Sequence, residues 1–201
     1  MKRSILIVLL LTSFSFCINA QVLKEIDEVA PFEEGFSGVK KDGLWGFIDS
    51  SGELVIDYRE DIVASANKAP AFSDGMCLIK EVKDGITFYG YINTKGEILI
   101  PAAYLIATPF ENGYARVIKH YKRDTHDSNV LGKRIVYYSY NELLINTENH
   151  TVQVLRGPYN LLFDKFKLQK NPPKITSKFI NDNLIAVRDE DNRYMIYTLK
   201  K

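Results

Sequence analysis

Lys41-Asp-Gly-Leu-Trp-Gly-Phe-Ile-Asp-Ser-Ser-Gly-Glu-Leu-Val-Ile56 is the stretch whose reading decides the fold. It returns as Lys83-Asp-Gly-Ile-Thr-Phe-Tyr-Gly-Tyr-Ile-Asn-Thr-Lys-Gly-Glu-Ile-Leu-Ile-Pro101, and in faded form as Leu143-Leu-Ile-Asn-Thr-Glu-Asn-His-Thr-Val152. Along a strand, Trp45, Phe47 and Asp49 point one way and Gly46 and Ile48 the other. The turns are Asp49-Ser-Ser-Gly52, Asn93-Thr-Lys-Gly96 and Asn146-Thr-Glu-Asn149. In each, a leading Asp or Asn can accept hydrogen bonds from backbone ahead of it, and the closing Gly or Asn tolerates positive φ. That pattern predicts a β-hairpin with a type I turn and a bulge. The returning strands Leu54-Val-Ile56 and Ile98-Leu-Ile100 are apolar and largely β-branched. Gly46 and Gly90 fall in mid-strand, which predicts a neighbouring backbone or ring passing close by.

Working outward, an opening phrase precedes each hairpin. It reads Pro31-Phe-Glu-Glu-Gly-Phe-Ser-Gly-Val39, Ala71-Phe-Ser-Asp-Gly-Met-Cys-Leu-Ile79, Pro109-Phe-Glu-Asn-Gly-Tyr-Ala-Arg-Val117 and, more loosely, Phe179-Ile-Asn-Asp-Asn-Leu-Ile-Ala-Val187. Gly35, Gly75 and Gly113 are 40 and 38 residues apart, a period that marks a repeat architecture. The expected fold is all-β: tandem three-stranded antiparallel β-meanders of about 40 residues stacked in an open array, with a small propeller-like closure as the alternative. The units run over 31–70, 71–108, 109–178 and a partial 179–201. Two insertions enlarge the third. Residues 119–135 replace a short turn and read as a long polar hairpin-tip loop. Asp164 to Lys178, with its lysines and Pro172-Pro173, reads as a solvated connector ending in extended chain.

These phrases resemble those of WG-repeat proteins. The positions carrying the likeness are Phe32, Gly35, Trp45, Gly46, Asp49 and Gly52 in the first unit, Phe72, Gly75, Tyr89, Gly90, Asn93 and Gly96 in the second, and Phe110 and Gly113 in the third. The resemblance implies a binding or scaffolding module of bacterial, often exported, proteins. No shared catalytic residue comes with it. Tyr89 stands where the family has tryptophan.

Residues 1–20 differ from the rest. Lys2 and Arg3 lead an apolar run from Ile5 to Leu11, and Ile18-Asn19-Ala20 ends in a small residue before Gln21. This reads as a cleavable secretory signal, with residues 21–201 as one domain and a periplasmic or extracellular location. A lipoprotein anchored through Cys17 is the alternative, although Phe16 is large where such signals want a small residue. Cleavage leaves Cys77 alone, so no internal disulfide is expected. No later apolar run is long enough to span a membrane. A net charge of +1 does not point to nucleic acid.

Hydrolase, phosphate-loop and zinc-protease motifs are missing from the sequence. Neither catalytic residues nor a cofactor or metal is expected, and the chain reads as a non-enzyme. Cys77 shares its slot with Ser37 and Ala115, which predicts a buried, inert thiol. The candidate binding residues are Lys119, His120, Lys122, Arg123, His126, Lys133 and Arg134. The aromatic set Trp45, Phe47, Tyr89, Tyr91, Tyr137, Tyr138 and Tyr140 reads first as packing between units and second as a ligand platform. The expected function is an exported interaction or scaffold module of the cell envelope that binds a protein through its repeat surface. The alternative is a glycan or envelope-polymer binder that uses exposed aromatics and the basic loop.

Overall fold

The computed structural model describes residues 23–64, 68–128, 132 and 134–199. The predicted signal, with Cys17, lies outside them, as does Lys133; for His126 and Arg134 only the backbone is described. Strands make up nearly all of the regular structure, arranged in four antiparallel sheets. The first holds β1 (Glu28–Glu33), β2 (Phe36–Lys41), β3 (Leu44–Asp49) and β4 (Leu54–Arg59). The second holds β5 (Met76–Lys83), β6 (Ile86–Asn93) and β7 (Ile98–Tyr104). The third holds β8 (Ile106–Ala107), β9 (Tyr114–Ser128), β10 (Arg134–Asn146) and β11 (Thr151–Leu161). A helical turn, α1 (Lys165–Lys170), leads to the fourth, made of β12 (Lys178–Asn181), β13 (Leu184–Arg188) and β14 (Tyr194–Thr198).

The turns follow their residues. Asp49 N bonds Glu53 O and Gly52 N returns to Asp49 O, while the Asp49 carboxylate accepts from the Ser51 and Glu53 amides. Those bonds to the ionised form hold the carboxyl below its usual range, the Ser51 hydroxyl contributing most. The same backbone pair recurs at Asn93–Glu97, Asn146–His150 and Asp189–Arg193. The phrase turns are of another kind. Glu34–Gly35, Asp74–Gly75 and Asn112–Gly113 each place two successive residues at positive φ, the tight hairpin geometry that matches strand twist.

Trp45 and Tyr89 occupy matching places. Trp45 lies between Lys40 and Arg59, and Tyr89 between Lys80 and Tyr104. The intervening glycines are needed because the return strands bulge over them. A Cβ on Gly46 would sit 2.8 Å from Ile56 O, and one on Gly90 would sit 2.4 Å from Ile100 O.

The sheets stack in chain order, each covering the apolar face of its neighbour. Trp45, Phe47 and Ile56 pack with Phe72, Cys77 and Ile92 across the first junction. Tyr91, Ile100 and Tyr104 meet Phe110, Val117 and Leu143 across the second. Leu144 and Leu155 meet Ile185, Val187 and Leu199 across the third. Among the described residues none of the core clusters joins the first sheet to the fourth, and no sheet closes into a barrel. The array is therefore open. Phe32 illustrates this: among the described residues no sheet packs on its side of the first sheet, and it is 52% exposed, whereas its counterparts Phe72 and Phe110 are each 1% exposed.

The hairpin ends are also linked. The Glu34 carboxylate accepts from Asp74 N at 2.7 Å and Gly75 N at 2.9 Å, and Asp74 Oδ2 accepts from Gly113 N at 2.7 Å.

Several expectations need correction. Residues 119–128 and 134–135 are not loop but the outer parts of β9 and β10, which pair in register from Tyr114–Asn146 out to Asp124–Val136. Cross-strand alternation of aromatic and basic side chains suits a pleated ribbon, so the polar composition did not mark a loop. The first and third sheets have four strands rather than three, because an incoming segment adds at one edge. The connector 164–178 is not simply solvated: it contains α1 and buries Leu168 and Ser177.

Candidate functional site

The long β9–β10 hairpin is the main departure from the repeat, and its two faces have different fates. Directly opposed residues share a face. Lys119 and Asn141, Tyr121 and Ser139, and Arg123 and Tyr137 lie on one side; His120 and Tyr140, and Lys122 and Tyr138, lie on the other. β11 extends the pairing only as far as Tyr138–Leu161, so β9 and β10 continue beyond it paired with each other alone.

On the outer face Tyr137 is 57% and Tyr121 38% exposed. Lys119 Nζ lies 5.9 Å from the Tyr121 ring centre, a cation–π spacing. Arg123, Tyr137, Ser139, Pro158 and Asn160 line a cleft of about 250 Å³. This face joins flat aromatic area to hydrogen-bond donors and positive charge.

The inner face is covered at His120 and Tyr138. Phe163, arriving from the connector, stacks on His120 and on Tyr138, each at 4.5 Å between ring centres. Phe88 of the second sheet lies 5.7 Å from the His120 ring. Burial, with a smaller push from the Lys119 charge, lowers the imidazole pKa, and Nδ1 is buried without a partner.

The structure thus divides the predicted basic set. Lys119 and Arg123 join the exposed tyrosines, Lys122 is exposed on the other side, and His120 is packed beneath aromatic rings. Of the predicted aromatic set, Trp45, Phe47 and Tyr91 belong to the core and Tyr91 Oη donates to Thr108 O at 2.7 Å. Tyr89, Tyr138 and Tyr140 are half-buried, and Tyr137 alone is exposed. Tyr121 was missed. Its signal was the period-two run Lys119, Tyr121, Arg123, which is visible only when the stretch is read as a strand.

A second cluster is buried. Glu142 occupies the place that Trp45 and Tyr89 hold in their sheets: it lies opposite Ile118 on β9 and Arg156 on β11. Its carboxylate accepts from Ser177 N at 2.9 Å, Thr176 Oγ1 at 3.1 Å, Thr176 N at 3.2 Å and the Ser177 hydroxyl. Arg156 Nη1 donates to Thr176 Oγ1 at 2.8 Å, and Arg116 donates to Ser177 O while lying over the Phe179 ring at 5.0 Å. Burial lowers the Arg116 pKa, with Glu111 and Glu142 opposing the shift. Every donor to the Glu142 carboxylate belongs to the protein's own connector, and the two arginines of β9 and β11 donate back to it, so the cluster fastens residues 176–177 to the third sheet.

Cys77 is buried between Arg59 and Asp61 on one side and the first junction on the other. Burial, reinforced by the Asp61 charge, pushes its thiol up to about 12, far from a thiolate nucleophile at neutral pH. Among the described residues no three His, Cys, Asp or Glu side chains gather as metal ligands would.

A family model described as "WG containing repeat" matches the chain at residues 22–45, 45–59 and 89–122. No curated protein matches the chain. No solved structure matches it either. No helix among the described residues is long and apolar enough to cross a membrane.

Proposed function

Taking as premise that this chain is a WG-repeat protein, we propose that it is a non-enzymatic interaction module, exported to the bacterial cell envelope, which holds a protein partner on the outer face of the β9–β10 hairpin. The observation that carries this reading is the pair Tyr121 and Tyr137, exposed side by side with Lys119 and Arg123 on strands that run past the rest of their sheet. Exposed tyrosine and arginine are the residue types that dominate interface energetics. Export rests on Lys2, Arg3, the apolar run to Leu11 and Ala20 before Gln21. Mature protein recovered with Gln21 at its N-terminus supports it; a mature chain that retains Met1 argues against it.

A second reading has its own support. Tyr137 beside Arg123, Ser139 and Asn160 is a composition that suits a sugar ring, with stacking on the aromatic and hydrogen bonds around it. One comparison separates the two. The wild-type chain and a Tyr121→Ala/Tyr137→Ala variant are used to capture ligands from cell-envelope extract, with and without prior protease treatment. Capture that protease abolishes, and that the double variant weakens by about tenfold or more, supports a protein partner. Capture that survives protease supports the glycan. Undiminished capture by the variant removes this face from consideration.

A further inference from the structure

We propose that the connector between the third and fourth sheets is a docking surface for an anionic lipid bilayer. Phe166, 69% exposed, and Leu162, 68% exposed, are the two most exposed large apolar side chains among the described residues, and they stand four positions apart. The same short stretch carries Lys165, Lys167, Lys170 and Lys174 against the single acid Asp164. That acid is engaged as the helix cap, accepting from Lys167 N at 3.0 Å. None of the four lysines has an ion-pair partner among the described residues.

The exposure is built in rather than incidental. Leu168, on the opposite side of α1, is buried against Ile86, Phe88 and Leu105. Gln169 Nε2 donates to Gly85 O at 2.9 Å, and Thr176 and Ser177 are fastened to Glu142. Phe163 is held in the aromatic stack on β9 and β10. With these contacts fixed, Phe166 cannot turn inward without unseating Leu168. Lys165 Nζ lies 5.1 Å from the Phe166 ring, so a cation accompanies the aromatic outward.

Beside them a cleft of about 580 Å³ is lined by Lys167, Lys170 and Lys174 over Tyr140, Leu161 and Leu162, with no acidic residue in its wall. Apolar side chains that project outward under a collar of unpaired lysines suit the boundary between acyl chains and anionic headgroups. The connector covers the side of β10 that carries Tyr138, opposite the side that carries Tyr137. A membrane at the connector therefore leaves the proposed partner face free, and the two proposals stand or fall separately.

The test is vesicle flotation of the full chain with phosphatidylcholine alone and with phosphatidylglycerol added. Any vesicle binding by the N-terminal run Ile5 to Leu11 with Lys2 and Arg3 is common to every variant, so binding is compared between variants of the same chain, as the part lost relative to the wild type. Phosphatidylglycerol-dependent binding is expected to fall at least about tenfold in Leu162→Ser/Phe166→Ser and in Lys167→Glu/Lys170→Glu/Lys174→Glu, and to weaken at high salt. All five side chains are exposed, so both variants should unfold at the wild-type urea midpoint. Tyr121→Ala/Tyr137→Ala should bind vesicles as the wild type does. In a second measurement, the indole introduced by Phe166→Trp should shift its emission to the blue on phosphatidylglycerol vesicles and be quenched by lipids brominated high on the acyl chain; native Trp45 is buried, and its emission is removed by subtracting the wild-type spectrum taken with the same vesicles. The proposal is overturned if the triple lysine variant keeps the wild-type phosphatidylglycerol dependence, or if the position-166 indole keeps a water-exposed spectrum.

Discussion

The second and third sheets share turn chemistry and strand register but close by different means. At the place opposite Ile79 the second has Gly90, and at the matching place opposite Val117 the third has Leu143. One step along, Tyr89 in the second corresponds to Glu142 in the third. The second sheet is self-contained: its return strand bulges across the glycine, and its aromatic fills the space beside it. The third has moved the bare backbone to the partner strand. A Cβ on Gly157 would meet both Asn141 Oδ1 and Tyr140 O at 2.7 Å. In place of the aromatic it has a buried acid that only the connector can satisfy. A repeat position can therefore change its chemistry completely, provided that space and hydrogen bonds are supplied from elsewhere in the fold.

The largest expected effect tests the first of these differences. Gly90→Val should cost about 3 kcal/mol or more, because its side chain meets the backbone of Ile100 to Ala102 and not a movable neighbour. Leu143→Ala at the matching place should cost about 2–5 kcal/mol for the opposite reason, a cavity among Tyr104, Phe110 and Val117. Urea unfolding of the two variants measures both. A mild Gly90→Val would break the comparison, since it would mean that β7 needs no close approach.

The next effect sharpens the second difference. Glu142→Ala should cost about 3 kcal/mol, because it strands the Thr176 and Ser177 donors. Amide exchange at those two residues should accelerate before the rest of the third sheet is affected. Tyr89→Phe should stay within about 0.5 kcal/mol.

The smallest effect is a pH dependence. Burial lowers the His120 pKa, so the unfolded chain binds that proton more readily than the folded one. The stability linked to this group is present above the ordinary imidazole value of about 6.5 and is lost as pH falls below it. His120→Phe should flatten that part of the stability profile between pH 7.5 and pH 5. Val82 holds the matching place in the second sheet and is exposed, so Val82→His should add no comparable slope.

How much of this was legible in the residues differs between the same two regions. Where a position answers to its own hairpin, the sequence displays it. The Asp49 and Asn93 turns, the positive-φ closers and the crowded Gly46 and Gly90 could all be read from neighbours a few residues away. The stacking of unit on unit followed from the same repetition; its being open rather than closed like a small propeller did not, because in both arrangements each unit presents one apolar face to the next. Where a position answers to a distant segment, the sequence is silent. Glu142 reads as an ordinary surface acid until Thr176 and Ser177 are placed over it. His120 reads as a loop histidine until Phe163 covers it. The 119–135 stretch misled because polar and basic side chains also line a two-stranded ribbon, as 119–123 do opposite 137–141, and composition alone does not separate a ribbon from a loop. Tyr121 was hidden by that same misreading.

Apart from the connector's contact with Gly85, Ile86 and Phe88, each of the four sheets is formed by one run of chain and each junction joins runs adjacent in sequence. Closing such contacts requires only short loops of disordered polymer, so the entropic barrier to forming any one sheet is low and hardly depends on the others. Assembly can then advance like a zip from whichever end is free first, each completed sheet serving as the template for the next. A chain delivered progressively through a narrow channel would have partners for its apolar strands as soon as they emerged, leaving little time for them to find the wrong ones.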